Sequence, residues 1–205
     1  MREVNIDDVH AALEKPRPGF KAQMRMSPRP RASSVSDAPA RGGGVLLLLY
    51  PRDGRLHLVL TRRTEHLPNH QGQISLPGGA QDAGESFEET ALREAREELD
   101  VDPTGIQVLG RLTPLYIPPS NYCIRPVVGY VPARPVFHPD PREVAEVLEV
   151  PLATLLDPST VHQEDWHLRG MTVRVPFFAV NEHKVWGATA MVLAEFVELI
   201  HSAMA

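Results

Sequence analysis

The sequence predicts an α+β fold, or a sandwich around a mixed β-sheet, because strand-like and helix-like segments follow one another without strict alternation. Two apolar runs, 45–50 and 56–61, flank a segment with turn chemistry at 51–54 and therefore predict an antiparallel hairpin. Residues 187–204 form an amphipathic segment that predicts a long helix. The residues expected on its buried side are Met191, Leu193, Ala194, Val197 and Ile200.

The remaining chain supplies further strands and short helices. Residues 106–115 and 124–131 have strand character, and the proline-rich turn at 118–121 separates them. Residues 143–150 alternate acidic and apolar side chains and lead into a short helix that ends near Leu156. Residues 172–180 predict another strand, for which 161–168 is the candidate partner. One chain of 205 residues with 42% hydrophobic residues suits a single sizeable core.

The N-terminal part of the chain is predicted to differ from the rest. Residues 5–15 predict a short helix capped by Asn5 or Asp7. Residues 16–44 are rich in Pro, Arg, Ser, Ala and Gly, which predicts an extended or partly mobile lead-in without a core of its own. We therefore divide the chain into a helix and lead-in at 1–44 and a domain at 45–205. We interpret four lead-in arginines as solvated, with contact to an anionic ligand as the alternative: Arg25, Arg29, Arg31 and Arg41.

Composition excludes several classes of protein. The net charge of -5 argues against an electrostatic nucleic-acid binder, which would normally be basic. Cys123 is the single cysteine, so neither an intramolecular disulfide nor a cysteine-based zinc site is expected. We find no secretory signal and no apolar run that approaches the length of a bilayer span. The expectation is a cytoplasmic protein without a membrane partner, and a homodimer is left open.

An acidic helix is predicted within residues 78–101. At about 100° per residue, Glu94, Glu97 and Glu98 share one helix face. Like charges three and four residues apart destabilise a helix by a few tenths of a kcal/mol per pair. Carboxylates concentrated in this way predict a site for a hard divalent cation. The alternative is a solvated acidic face.

The same segment resembles the Nudix box. Gly79 is followed by five residues and Glu85, then by seven residues and the run Arg93-Glu94-Ala95-Arg96-Glu97-Glu98. The one departure is Asp100, which stands where the pattern has a glycine that leaves the helix in a left-handed conformation. Asp is among the few other residues that tolerate this conformation. The resemblance implies a Nudix fold, which is an α/β/α sandwich around a mixed sheet, and a metal-dependent pyrophosphohydrolase.

The resemblance also implies a role for each acid of the box. Glu94 and Glu98 would bind Mg²⁺ or Mn²⁺ directly, with Glu97 as a further ligand or as the base and the Gly79 carbonyl nearby. Arg93 would orient the box by pairing with Glu85. The alternative for Arg93 and Glu85 is an ordinary ion pair on the helix surface.

A second signature, at 60–79, resembles the extra motif of the coenzyme A pyrophosphatase branch. Its matching residues are Thr61, Arg63, Gly72, Pro77, Gly78 and Gly79. Pro68 replaces an arginine of that pattern and Leu76 replaces a phenylalanine. The resemblance implies a coenzyme A-like substrate, and Arg62, His66 or His70 could substitute for the missing arginine. The substrate-binding residues expected in this loop are Arg62, Arg63, His66, His70, Gly72 and Gln73.

The C-terminal half is also similar to this branch. Glu143 precedes the short helix, where related enzymes supply an additional acid from a loop, and it is the alternative general base. Trp186 is interpreted as a core residue at the start of the last helix. The implied reaction cleaves coenzyme A or its thioesters to 3′,5′-ADP and a 4′-phosphopantetheine product. The alternatives are a broader hydrolase of nucleoside diphosphate derivatives, such as ADP-ribose, and a nucleotide-binding module without catalysis.

Overall fold

The structure, a computed structural model, describes residues 3–29, 40–65, 72–168 and 170–204. It contains one large mixed sheet with helices on both faces and a second, three-stranded antiparallel sheet. The predicted α+β class and the sandwich of helices around a mixed sheet are thereby confirmed.

The large sheet is built from eight strands: β1 (Arg41–Arg52), β2 (Arg55–Arg63), β3 (Ile74–Ser75), β4 (Gly78–Ala80), β5 (Gln107–Arg111), β6 (Leu115–Ile117), β7 (Tyr122–Tyr130) and β8 (Val144–Pro151). The smaller sheet contains β9 (Val161–Leu168), β10 (Met171–Val180) and β11 (His183–Trp186). The helices are α1 (Ile6–Glu14), α2 (Gly19–Gln23), α3 (Phe87–Leu99), α4 (Leu152–Leu156) and α5 (Gly187–Met204).

Strand β1 lies at the centre of the large sheet. It forms the predicted hairpin with β2 through Asp53 and Gly54, whose positive φ angles of 51° and 75° suit a two-residue turn between twisted strands. On its other side β1 pairs in parallel with β7 over nine residues, which makes the sheet mixed. Near its start, β1 also pairs with β4, so that the first half of β1 is bonded on both sides.

The alternating segment at 143–150 is strand β8, which pairs antiparallel with β2. Its period of two is that of a strand. The sequence also predicted the pairing of 161–168 with 172–180, and the β9–β10 ladder confirms it.

Two apolar cores lie on the two faces of the large sheet. The core beneath α3 is formed mainly by Leu46, Leu48, Tyr50, Val59, Ala91, Ala95 and Leu99. The larger core on the opposite face includes Leu47, Leu49, Leu58, Leu152, Phe178, Val192, Phe196 and Ile200. Alternate side chains of β1 therefore enter different cores, and α3 is fixed on one face while α5 closes the other.

The expectation of an extended lead-in is wrong for residues 19–26, which are helical and pack on the main core. Helix α2 packs against α5, and Ala22, Gln23 and Met26 are buried. The buried carboxylate of Glu195 accepts hydrogen bonds from Gln23 Nε2 at 2.8 Å and from Thr113 Oγ1 at 2.6 Å. The apolar and polar contacts are made by a few residues within a Pro- and Arg-rich segment, which is why composition concealed them.

Other parts of the N-terminal prediction have different outcomes. Asn5 caps α1 as expected, and its side chain accepts a hydrogen bond from the backbone of Asp8. Strand β1 begins at Arg41, so residues 41–44 belong to the sheet instead of the lead-in. Arg31 lies outside the described residues, and the division of the chain after residue 44 stays a prediction.

Helix α5 is a core helix. By length and composition alone it could cross a membrane, contrary to the expectation that no apolar run approaches that length. Half of the apolar window is buried inside the protein, and core helices commonly meet the same criterion. Four of the five residues predicted on its buried side, all except Val197, are buried.

The close packing of α3 on β1 depends on Gly44, and we expect Gly44→Ala to destabilise the fold. A Cβ at this position would overlap the carbonyl of Phe87 and come within 2.9 Å of the backbone nitrogen of Ala91. Backbone atoms cannot rotate away, so the helix must shift, at a cost of about 2 kcal/mol. Urea unfolding measures this loss. Gly105→Ala, where a Cβ meets nothing within 4 Å, should be close to neutral, and equal stabilities of the two variants would contradict the packing argument.

Candidate active site

Local sequence signals define both ends of α3. Ser86 accepts a hydrogen bond from the backbone of Glu89, whose side chain accepts one from the backbone of Ser86, so the helix begins with a capping box. It ends at Asp100, which has φ 57° and ψ 32° in the left-handed region and donates its N–H to Arg96. The left-handed turn predicted from the Nudix-box pattern is therefore present with Asp in place of glycine.

Strand β4 lies directly against the acidic face of α3. A Cβ on Gly79 would come within 2.5 Å of Glu94 Oε2, so only a glycine lets the backbone approach this carboxylate. Towards β1, the Gly79 carbonyl oxygen lies 2.6 Å from the position that a Cβ on Gly43 would take. The glycines of β1 and β4 thus bring a backbone carbonyl and a helix carboxylate together.

Glu98 is the most buried acid of the site, at 2% exposure. The backbone of Gly78 donates a hydrogen bond to its carboxylate, and the nearest guanidinium nitrogen of Arg63 is 3.9 Å away. Within the described residues, the second oxygen of this carboxylate, Oε2, has no hydrogen-bond partner. Burial raises the pKa of Glu98 to about 8, against the attraction of Arg63.

Three further acids surround Glu98 at different depths. The side chain of Glu94 is 14% exposed, and burial raises its pKa. Glu97 is 59% exposed, so it stands at the rim of the site although it shares the helix face. Glu143 lies in the loop before β8, and its charge acts on both Glu94 and Glu98 to raise their pKa values further. The structure therefore places Glu94, Glu97, Glu98 and Glu143, four of the five acids predicted for the site, around one another.

Arg93 connects the acids to one another. Its Nε donates to Glu85 at 2.7 Å, and one terminal nitrogen donates to Glu94 at 2.9 Å and to Glu97 at 3.0 Å. The other terminal nitrogen donates to the Ala80 carbonyl at 2.9 Å, which attaches β4 to the helix. The predicted pairing of Arg93 with Glu85 is present, and it lowers the pKa of Glu85 to about 2.

In the described ranges, no group of three or more His, Cys, Asp or Glu side chains is gathered closely enough to hold a metal ion. Arg93 takes one oxygen each of Glu94 and Glu97. The arrangement is a partly buried acid cluster that an arginine holds together from its outer side.

Comparison with known families identifies the family of the protein that contains this acid cluster. The model of the NUDIX domain matches residues 40–169, which is more than half of the chain. The chain belongs to the Nudix family. It is therefore a hydrolase of the pyrophosphatase type, acting on nucleoside diphosphate derivatives.

Similar proteins agree with this assignment. The "Uncharacterized Nudix hydrolase NudL" of Photorhabdus laumondii subsp. laumondii is 36% identical over 179 residues, which cover 87% of this chain and 93% of that protein. The protein of the same name from Yersinia pestis is 39% identical over 144 residues, 70% of this chain and 72% of its own. Neither name specifies a substrate.

Solved structures support the fold. The MutT/nudix family protein from Enterococcus faecalis has a TM-score of 0.53 and 14% identity, over 98% of this chain and 76% of that one. The MutT protein from Methanosarcina mazei Go1 has a TM-score of 0.50 and 17% identity, over 82% of this chain and 97% of its own. At such identities they show the Nudix fold alone.

The loop before the Nudix box contains the residues predicted to bind substrate. Arg62 is already paired, with Glu146 at 3.0 Å and Glu65 at 3.7 Å, while Glu146 also contacts His183 at 3.2 Å. Arg63 faces Glu98, and its backbone N–H donates to the carbonyl of Gln73. Gly72 has a φ of 64°, and a Cβ there would come within 2.6 Å of Glu65 Oε1. His66, Pro68 and His70 lie outside the described residues.

Two residues at the starts of β1 and β7 were not among the predicted site residues: Tyr122 had no signal in the sequence, and Arg41 was interpreted as solvated, with contact to an anionic ligand as the alternative. The ring of Tyr122, on β7, lies against Gly43, and the guanidinium of Arg41 stacks over this ring at 5.0 Å from its centroid. Burial raises the pKa of Tyr122, and the negative charge of Glu94 adds to that shift. Only the pairing of β1 with β7 and β4 brings these residues together, and it cannot be read from local sequence.

Proposed function

We propose that this Nudix hydrolase cleaves the diphosphate of coenzyme A or its thioesters with Mg²⁺ or Mn²⁺ and releases 3′,5′-ADP and a 4′-phosphopantetheine product. The observation that carries the hydrolytic part is Glu98, a carboxylate with 2% exposure and an unpartnered buried oxygen. The resemblance of 60–79 to the coenzyme A pyrophosphatase motif supports the substrate.

The donor types at the site suit a hard divalent cation, although in the described ranges the acids are not gathered closely enough to hold one while Arg93 pairs with Glu94 and Glu97. A buried carboxylate oxygen without a partner costs free energy unless a cation or a proton satisfies it. Glu94, Glu97, Glu98 and the Gly79 carbonyl supply only oxygen donors, the type that Mg²⁺ and Mn²⁺ prefer. When bound, such a cation neutralises phosphate charge and lowers the pKa of a bound water.

Arg93 and Glu85 act as positioning residues in this proposal. Arg93 donates to Glu94 and Glu97, and its bond to the Ala80 carbonyl holds β4 next to the helix. Glu85 keeps the guanidinium in place through two hydrogen bonds, at 2.7 Å and 3.2 Å. The acids are therefore ordered before substrate arrives.

The proton of the attacking water needs an acceptor, and Glu97 and Glu143 are the two candidates. Glu97 already accepts a hydrogen bond from Arg93, so protonation would weaken that contact. Glu143 stands in a loop whose backbone bonds with Asp140 and Thr64 fix its position, and its charge reaches Glu94 and Glu98. We favour Glu143 as the base, with Glu97 as a ligand.

The loop before the box would hold the substrate. Arg63, beside Glu98, is placed to bind the diphosphate as its charge accumulates. To bind a phosphate, Arg62 would have to break its ion pair with Glu146 or with Glu65. The other proposed contacts are Gly72, Gln73, His66 and His70. The proposal also includes a cytoplasmic location, and it leaves open whether the protein is a homodimer.

The substrate assignment is tested by a panel of three compounds assayed with each metal. We expect coenzyme A to be hydrolysed at least tenfold faster than dephospho-coenzyme A or ADP-ribose, because a dedicated site would bind its 3′-phosphate by charge-assisted hydrogen bonds. Release of 3′,5′-ADP is the measurement. Equal rates would favour the broader nucleoside diphosphate hydrolase, and binding without hydrolysis of any compound would favour the non-catalytic module.

A further inference from the structure

The loop that carries Glu143 is attached to the end of α3 by its backbone. The N–H of His138 donates to the Leu99 carbonyl at 3.0 Å. The N–H of Asp140 donates to the Glu98 carbonyl, also at 3.0 Å. The last four carbonyls of a helix have no partner within it, so these bonds satisfy two of them. The N–H of Glu143 then donates to the Asp140 carbonyl at 3.0 Å and closes a turn. One end of the loop is therefore fixed relative to the helix that carries Glu98.

Thr64, the residue after β2, holds the other end of the same loop. Its backbone N–H donates to the Glu143 carbonyl at 2.9 Å, and its hydroxyl donates to the Arg142 carbonyl at 3.0 Å. Thr64 is 6% exposed, so water competes little for either bond. Any residue other than proline can supply the first bond, but the second needs a side-chain donor at this position.

A β-bulge separates the loop from the regular part of β8. Arg62 pairs with Glu146, and the next residue of β2 pairs with Val144, so Ala145 is an extra residue on β8. A bulge interrupts the regular alternation of side chains along a strand. Glu143 precedes this bulge. The hydrogen bonds of its own loop, and not the pairing of β8, therefore determine where it lies.

The position of Glu143 matters because it is the base in the proposed reaction. Its charge acts on both Glu94 and Glu98, which places it within electrostatic reach of the acid cluster. A general base must lie within hydrogen-bond reach of the proton that it removes. A displacement of about 1 Å can lower a rate by about 100-fold. A contact that holds the loop backbone can thus control the rate of the chemical step.

We propose that Thr64 is a positioning residue for Glu143. Its hydroxyl holds the Arg142 carbonyl and thereby keeps the carboxylate of the next residue where it accepts the proton of the attacking water. This inference rests on the proposed function, in which Glu143 is the base. It extends the reaction machinery to a threonine outside the Nudix box that acts through the backbone of a loop.

Kinetics of three threonine variants test this role. Thr64→Val keeps the shape of the side chain but removes the donor, and we expect kcat for diphosphate hydrolysis to fall about tenfold with KM unchanged. Thr64→Ser keeps the hydroxyl and should restore most of kcat. Thr160→Val is the matched control: the hydroxyl of Thr160 also donates to backbone carbonyls, those of Thr154 at 3.0 Å and Asp157 at 2.8 Å, but it lies after α4. This control should keep the kcat of the wild type.

The variant Glu143→Gln shows whether the effect of Thr64 passes through the base. Alone, Glu143→Gln should lower kcat about 100-fold. Adding Thr64→Val to it should have no further effect, because both changes act on the same proton transfer. A general loss of packing would instead multiply the two losses. Calorimetric titration with Mn²⁺ alone should give the same affinity for Thr64→Val and the wild type, since Thr64 is not a proposed ligand.

Arg63 offers a different route by which Thr64→Val could act. It is the preceding residue, and it faces Glu98 at 3.9 Å. Displacement of Arg63 would raise KM for the diphosphate, and this effect would persist in the Glu143→Gln background. Such a rise in KM, an unchanged kcat in Thr64→Val, or multiplied losses in the double variant would each overturn the role of Thr64.

Failure of the proposed function gives different results. A wild type that cleaves ADP-ribose and not coenzyme A would reject the substrate assignment, and the same variants assayed with ADP-ribose would decide the role of Thr64. If Glu143→Gln keeps the kcat of the wild type, Glu143 is not the base. That result would reject the role of Thr64 and leave the hydrolysis of coenzyme A intact.

Discussion

Replacing Glu98 by glutamine should reduce metal-dependent turnover about 10³-fold, the largest effect that we expect of a single substitution. Glutamine keeps the size of the side chain and can still accept the hydrogen bond from Gly78, but it removes the charge that a divalent cation needs. The measurement is the initial rate of diphosphate hydrolysis at saturating Mg²⁺. Glu88→Gln is the matched control, since Glu88 pairs with Arg111 away from the cluster. Near-normal activity of Glu98→Gln would rule out the metal assignment.

The same substitution should stabilise the metal-free protein at alkaline pH. Burial raises the pKa of Glu98 from the ordinary value of 4.5 to about 8, so the folded state favours the protonated acid. Its contribution to stability is complete below pH 4.5 and is lost as the pH rises through about 8. With a chelator present, the free energy of unfolding of Glu98→Gln should therefore exceed that of the wild type by a few kcal/mol at pH 8, and the two should converge near pH 5. A difference that does not change with pH would contradict this account.

Replacing Arg93 by lysine should lower turnover about 100-fold and weaken metal binding by a similar factor. The guanidinium donates to Glu85, Glu94, Glu97 and the Ala80 carbonyl at once, and a lysine ammonium cannot reproduce this planar set of contacts. Partners that orient metal ligands typically contribute 10- to 100-fold in affinity or activity. Activity measured as a function of Mg²⁺ concentration tests both effects.

Arg96→Lys is the control for this variant. Arg96 is exposed on the same helix, so this replacement should leave the metal dependence unchanged. If Arg93→Lys shifts neither the metal dependence nor the maximal rate, Arg93 is an ordinary surface ion-pair residue. That result would support the alternative given in the sequence analysis, in which Arg93 and Glu85 form an ordinary ion pair on the helix surface.

The parts of the site that lie within one helix were predictable from sequence. Glu94, Glu97 and Glu98 are three and four residues apart, and helix geometry alone places them on one face. The left-handed turn at Asp100 also follows from a local pattern. Local spacing does not predict how deeply each side chain is buried, however. Glu98 is buried and Glu97 is exposed because of the way β4 packs against α3.

Contacts between distant segments were not predictable in the same way. Arg41 was interpreted as solvated, with contact to an anionic ligand as the alternative, because composition contains no information about the strand partners that place it over Tyr122. The burial of Ala22 and Met26 was missed for a related reason. The segment that contains them has few apolar residues, and these show no periodicity. Their burial results from packing against α5.

The buried cluster of Gln23, Thr113 and Glu195 has a consequence for the order of folding. Gln23 and Glu195 are 172 residues apart in the chain, so a ribosome completes the partner long after it has made the N-terminal helix. Until α5 emerges, α2 has neither the carboxylate nor the apolar surface that hold it in place. Contacts of such long range form late because a large loop must first be closed. The N-terminal helices α1 and α2 should therefore pack against the rest of the protein last, after the large sheet and α3 have been synthesised.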